Sequence, residues 1–139
     1  MRASADEVRA WLDEVWDRTE AALILRGGDD AGPLGRRPVL AEIYDDDVLA
    51  ELRVLTTTGD FTGDICRCHG SLTVGLLDAR GDFLGGGSLH GETDVSWEPR
   101  RFRNNLAVAD PAGLLAFLER HVAYPLKPPP VGYIGFRGE

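Results

Sequence analysis

The residues able to do chemistry concentrate in one short stretch, Asp64-Ile65-Cys66-Arg67-Cys68-His69-Gly70, and in His90 beyond it. Two thiolates and an imidazole are soft or borderline donors of the kind that suits zinc. Along an extended chain alternate side chains share a face, so Cys66 and Cys68 are expected to project together. Cys66, Cys68 and His90 would supply three zinc ligands. His69 or Asp64 would supply the fourth, or water would keep that position open for catalysis. The spacing departs from structural zinc sites that draw ligands from two separated pairs. The same cysteines can be read as an exchanging thiol pair, with Arg67 or a histidine stabilising the thiolate, although redox pairs usually follow C-x-x-C. They can also be two small, soft side chains at a strand edge. No other cysteine is present, so a secreted disulfide framework is excluded. A bridge between cysteines this close along the chain would be strained.

Other chemistry is thinner. Ser71 or Ser88 as nucleophile with His90 as base would make a hydrolase pair, but no glycine-flanked serine elbow accompanies them. Asp45, Asp46 and Asp47 invite a divalent-cation reading. Consecutive helical residues point apart, however, and these three serve better as a cap with favourable charge at a helix N-terminus. No catalytic residue is assigned.

The element that must bring His90 to the cysteines is a hairpin. Ser71 to Leu77 is apolar and β-compatible, Asp78-Ala79-Arg80-Gly81 reads as a turn, and Asp82 to His90 returns. Gly85-Gly86-Gly87 lies inside the return strand. A glycine run weakens a strand, so it belongs where the strand bulges or where another backbone or a ligand approaches closely. It lacks the strand–loop–helix order of a dinucleotide fingerprint.

Around the hairpin the chain reads as helical at both ends. Ser4 with Glu7 forms a capping box, and Val8, Trp11, Leu12, Val15, Trp16 and Leu23 recur at the helical period. A helix from Ser4 to Arg26 is therefore expected, stopped by Gly27-Gly28. Trp11 and Trp16 then share its apolar stripe and belong to the core. Residues 29–38 form a loop, Asp46 to Leu55 a second helix, and Thr93 to Trp97 a short strand. Glu98 to Asn105 is polar and irregular. Asp110-Pro111 opens a last helix that runs to His121. Pro125 to Glu139 is a Pro-rich tail favouring polyproline II, punctuated by Tyr124, Tyr133, Ile134 and Phe136, and it is expected to dock on its own domain or on a second copy. The whole reads as one α+β domain: a small antiparallel sheet of about three or four strands, with a central hairpin at about 71–90, packed against N-terminal and C-terminal helices.

The order Cys66-Arg67-Cys68-His69-Gly70, the hairpin Ser71 to Leu89, then His90-Gly91, Trp97 and the closing helix Asp110 to His121, resembles an uncharacterised family of small actinobacterial proteins. That family's pattern is C-x-C-x-G, an apolar hairpin, His-His-Gly, a tryptophan and a short leucine-rich helix. The resemblance spans roughly residues 45–121. Leu89 stands where the first histidine of the pattern would be, and Ser71 stands where an aspartate would follow the glycine. The resemblance implies a compact hairpin-plus-helix unit and no particular activity.

Charge narrows the function classes. The formal net charge is −8, and Lys127 is the single lysine. Nucleic-acid binding needs clustered cations, and the densest basic spot, Pro99-Arg100-Arg101-Phe102-Arg103, is set in an acidic chain. No apolar run reaches the ~20 residues of a membrane helix. Met1 to Asp6 carry no secretory pattern, so a cytoplasmic location is expected. The leading expectation is a small acidic cytoplasmic binding protein. It would act on a protein partner, a basic one by complementarity, as an immunity-like inhibitor or accessory subunit. Trp97, Phe102, Tyr133 and Phe136 are the candidate anchors, and the tail could also pair two copies. The alternatives are a zinc protein or metal-dependent enzyme built on Cys66, Cys68 and His90, and sequestration of a small molecule that closes on the glycine strand. No cofactor is called for outright; zinc is the candidate. If the zinc reading holds, native mass spectrometry of the purified protein shows stoichiometric zinc that disappears in the Cys66→Ser/Cys68→Ser double variant. A metal-free protein whose folding that variant leaves unchanged would contradict it.

Overall fold

The computed structural model describes residues 2–28, 31–64 and 70–122. Helix α1 runs Ala5–Asp17. Its capping box forms as expected: Glu7 N donates to Ser4 Oγ at 3.2 Å, and Ser4 N donates to Glu7 Oε1 at 3.1 Å. The helix stops well before Arg26, and Ala21–Arg26 is strand β1. The physical reason lies in its neighbours. Ala21 to Leu25 is an unbroken apolar run, and β1 is flanked on both sides by β2 (Val39–Ile43) and β4 (Leu72–Leu77). An unbroken apolar run cannot present a helix's wet face, but it suits a strand covered on both sides. Thr19 helps close the helix, its hydroxyl donating to Val15 O at 2.7 Å.

Helix α2 (Asp46–Thr57) is capped by Asp45, whose Oδ1 accepts from Asp47 N at 2.9 Å and from Val48 N at 3.3 Å. The three aspartates thus act as cap and dipole partners. There follow β3 (Gly59–Phe61), β5 (Phe83–His90), β6 (Asp94–Trp97), the short α3 (Pro99–Phe102), β7 (Leu106–Val108) and α4 (Pro111–His121). Asp110 caps α4 through Gly113 N at 2.9 Å.

The strands form one seven-stranded sheet in the order β2-β1-β4-β5-β6-β7-β3, with every neighbouring pair antiparallel. The expectation of three or four strands is corrected, while the α+β class stands. The strands that escaped sequence reading are β1, β2, β3 and β7. The last two are three residues each and are held by pairing with each other rather than by any local signal. The expected hairpin is present as β4 and β5, in register from Leu72↔Leu89 to Leu76↔Gly85 with a bulge before Leu77↔Phe83. In its turn the Asp82 and Arg80 backbone N–H groups donate to Asp78, at 3.0 and 2.9 Å, and hold its carboxyl below the usual aspartate range.

The three glycines of β5 each seat a bulky side chain from elsewhere. A Cβ on Gly85 would lie 2.6 Å from Trp11 Cζ2, and one on Gly87 would lie 2.8 Å from Trp97 Cε3. Gly86 faces the other way, where a Cβ would come within 3.3 Å of Leu34 Cδ1 and of Val74 O. On the Gly85/Gly87 face the three tryptophans gather. Trp11 and Trp97 lie 6.3 Å apart and tilted, and Trp16 meets Trp97 edge-on at 6.2 Å. Phe102 packs edge-on against Trp11 at 5.1 Å. Trp97 Nε1 donates to Thr56 O at 3.0 Å, tying β6 to the end of α2. Val8, Leu12, Leu52, Leu114 and Phe117 complete this core from the helices. Fully burying one such side chain contributes about 1.5–3 kcal/mol.

Gly85→Ala and Gly87→Ala should therefore each cost about 1–3 kcal/mol by overpacking, read as a lower urea midpoint. Gly35→Ala, where the nearest atom is 4.0 Å from a new Cβ, should change stability by no more than about 0.5 kcal/mol.

Candidate functional site

The helices cover one face of the sheet. On the other face, alternate residues of β4 and β5 present Thr73, Gly75, Gly86 and Ser88, with Thr73 opposite Ser88 and Gly75 opposite Gly86. Over Gly75 this face is covered by the Phe83 ring, which a Cβ there would meet at 2.7 Å, with Leu25 beside it; over Gly86 and Ser88 two other segments build walls.

The first wall is the stretch 32–37 between β1 and β2. Arg37 fixes it: its Nε and Nη2 both donate to Gly32 O, at 2.9 and 2.7 Å, and its Nη1 donates to Thr73 Oγ1 at 2.6 Å. The Thr73 hydroxyl passes its own proton to Gly27 O at 2.7 Å. A planar guanidinium with several fixed donors is well suited to such a clamp. The clamp holds a 3₁₀ turn, Leu34–Arg36, so that Leu34 rests on Gly86.

The second wall is Glu98 to Arg101. β6 ends at Trp97, and Glu98 completes the ladder in an unusual way. Its N–H donates to Gly86 O at 2.9 Å, while its carboxylate Oε2 takes the Gly86 N–H at 2.7 Å. A side chain thus replaces the backbone carbonyl that the strand would have offered next. To do so Glu98 adopts φ 41°, ψ 63°, a left-handed conformation that a non-glycine residue enters at a cost of about 1–3 kcal/mol. The reversal turns the chain into α3 and sets Pro99, Arg100 and Arg101 along the rim. Arg101 lies over the Phe102 ring, its guanidinium carbon 4.7 Å from the centroid.

Between the walls lies a cavity of about 310 Å³. Its floor is Thr73, Gly86 and Ser88, its roof Pro33 and Leu34, and its rim Pro99 to Arg101. Among the described residues Arg37, Arg100, Arg101 and Glu98 are the charged residues that line it. Ser88, only 3% exposed, also lines this cavity.

Cys66, Cys68 and His69 lie outside the described residues. Their flanks are fixed near His90. Asp64 O accepts from Asn105 N at 2.9 Å, and Ser71 N donates to Leu89 O at 3.2 Å. A Cβ on Gly70 would stand 3.4 Å from His90 Nδ1. His90 Nε2 pairs with Ser96 Oγ at 3.0 Å, and Ser96 donates to Asn105 Oδ1 at 3.0 Å. His90 thus engages Ser96 rather than Ser88 through this nitrogen. Among the described residues no group of three or more His, Cys, Asp or Glu side chains is placed to hold a metal ion.

The aromatic anchors need correction. Trp97 is 1% exposed and Phe102 5%. Both are spent on the tryptophan core, because the bare Gly85 and Gly87 leave room that only large rings fill. Tyr133 and Phe136 lie outside the described residues. No helix among the described residues is long and apolar enough to cross a membrane. The cavity residues escaped the sequence reading because they come from a loop and an irregular stretch that converge only through the sheet. The basic run at Arg100 to Arg103 and the glycine run were the two available signals.

Comparison of the chain with protein-family models, with curated proteins and with solved structures gave no match.

Replacing Glu98 by Ala leaves the buried Gly86 N–H without its acceptor, an expected loss of about 1–3 kcal/mol. Glu98→Gln keeps an acceptor oxygen and should lose clearly less. Urea denaturation of the three proteins checks the order, and equal loss from both variants would contradict the assigned bond.

Proposed function

We propose that this protein binds and sequesters a small molecule in the cavity over Gly86. The observation that carries the reading is the cavity itself: about 310 Å³ of space above Thr73, Gly86 and Ser88. Its walls are positioned before any ligand arrives, one by the hydrogen bonds of Arg37 to Gly32 and Thr73 and the other by the double attachment of Glu98 to Gly86. Walls already ordered lower the entropy cost of binding. The volume is at the small end of ligand sites, which favours a compact ligand. The lining sets arginine, hydroxyl and carboxylate groups beside Pro33, Leu34 and Pro99, which suits a small ligand with both a polar and an apolar part.

A protein partner is the second reading, and it belongs to the opposite side of the molecule. The exposed flanks of α1 and α2 carry Asp6, Asp13, Glu14, Asp17, Asp46, Asp47 and Glu51. Arg53 bridges Asp13 and Asp17 at 3.4 and 3.0 Å. Such a surface steers a basic partner by its field. A cytoplasmic setting and a partner of immunity-like or accessory type are part of that reading.

The ligand reading is tested by screening small polar fragments with ¹H–¹⁵N correlation spectra. A ligand of the cavity should move the amides of Gly32, Gly86 and Glu98 together and leave those of α1 unmoved, and it should raise the melting temperature as it saturates. A screen in which no fragment moves that set would contradict the proposal.

A further inference from the structure

We infer that β2 is a docking edge for a basic, extended segment of a partner protein, which joins the seven-stranded sheet as a further strand with a cation set against Glu42. This surface is separate from the cavity; the inference rests on the protein-partner reading and gives that partner a place in the fold.

The sheet has two edges, β2 and β3, and they are finished differently. An edge strand presents a row of outward N–H and C=O groups that another chain can join. β3 is only three residues long, and Arg9 closes over it. Arg9 Nη2 donates to Gly59 O at 3.0 Å, and its guanidinium carbon lies 4.8 Å from the Phe61 ring centroid. β2 is five residues long, and among the described residues no strand lies on its outer side. Of the four large apolar side chains left exposed among the described residues, Val39, Tyr44, Val54 and Phe83, two bracket this strand: Val39 is 47% exposed and Tyr44 61%.

Pairing sets these side chains on one face. Ala22 and Ile24 of β1 belong to the core under the helices, so Leu23 and Leu25 point the other way. Glu42 pairs with Leu23 and Val39 with Leu25. Tyr44 joins them, its hydroxyl donating to Glu42 Oε1 at 2.6 Å. A joining strand therefore meets an apolar group, a carboxylate and an aromatic ring. The register shift between Ile24 and Leu25 marks a bulge, so the regular ladder on offer is short and side chains must supply the selectivity.

Charge decides between a partner and a second copy. Two-fold pairing of β2 with itself brings two Glu42 carboxylates into one small patch, where like charges repel. Asp45, Asp46 and Asp47 follow directly at the start of α2, and each chain carries a formal charge of −8. A cation in the same position meets Glu42 across the ladder and the field of the three aspartates beyond it. Glu42 accepts one bond from Tyr44, and a carboxylate has capacity for more. The period of a strand then fixes the partner's pattern: Lys or Arg, with apolar residues two positions before and two after it.

The test titrates the whole protein with acetylated, amidated peptides of the form Thr-X-Thr-B-Thr-X-Thr, followed by ¹H–¹⁵N spectra. X is Val, Leu or Tyr, B is Lys or Arg, and each peptide is paired with its counterpart carrying Glu at B. At least one basic peptide should move the amides of Ala41, Glu42 and Ile43 together and slow amide exchange within β2. It should bind at least about tenfold more tightly than its Glu counterpart, and Glu42→Lys should abolish that preference. If no peptide moves those amides, the docking edge is overturned. Shifts confined to the α1 amides around Asp13 and Asp17 would overturn it too, while leaving an acidic partner surface standing. Glu peptides that bind as tightly as basic ones would overturn the charge assignment. So would a concentration-dependent dimer in sedimentation whose β2 amides broaden without peptide, since the occupant would then be a second copy. The paired peptides on the unmodified protein decide the outcome even if Glu42→Lys does not fold, and the amides of Gly32, Gly86 and Glu98 report on the cavity separately.

Discussion

The structure depends on a strand that has almost no side chains where most strands carry their largest. Gly85, Gly86 and Gly87 sit in the middle of the sheet, between β4 and β6. Glycine there loses more backbone entropy than any other residue and contributes no packing of its own. The compensation comes from what the bare backbone admits. On one face Trp11 and Trp97 approach to distances that a Cβ would block, and on the other Leu34 comes within close contact, 3.3 Å from where a Cβ would stand. The helix layer and the loop wall are therefore seated on the same three residues from opposite sides. Indole rings of this size bring enough buried surface to outweigh the local entropy loss.

The cavity is a consequence of that arrangement. Because the part of the second face under the walls offers only Thr73, Gly86 and Ser88, the walls that cover it do not interdigitate with the floor. They leave space, and each is held by its own device: the Arg37 clamp to Thr73 and Gly32, and the Glu98 carboxylate that stands in for a ladder carbonyl. The left-handed backbone at Glu98 is the one place where the fold accepts conformational strain to put a side chain at the cavity wall, and strained residues of this kind cluster at ligand sites.

Much of this was readable in advance wherever a local signal was sufficient. The capping box at Ser4, the Asp45 cap, the hairpin turn at Asp78 to Gly81 and the Asp110-Pro111 start each act within one turn of chain, and each element formed where expected. The second half of the first expected helix did not. Ala21 to Leu25 follows α1 with no glycine or proline between, and Leu23 falls in helical phase with the stripe before it. Only the flanking strands on both sides explain its extended form. β3 and β7 carry no local signal, since three residues cannot show a period. The glycine run was legible as a site of close approach, but not the identity of what approached. Trp97 and Phe102 looked like anchors because an aromatic residue in a polar stretch has two explanations, and the core claimed both. Glu98 was the least legible of all: nothing in a glutamate announces a left-handed backbone, which here is imposed by its two bonds to Gly86.

The measurement that bears most directly on this account is the proton NMR environment of the three glycines. The account predicts nuclear Overhauser contacts from Gly85 Hα to the Trp11 indole and from Gly87 Hα to the Trp97 indole, with both glycine resonances displaced by ring currents, and from Gly86 Hα to the Leu34 methyls. Glycine resonances at random-coil positions, with no contact to either indole or to Leu34, would contradict it.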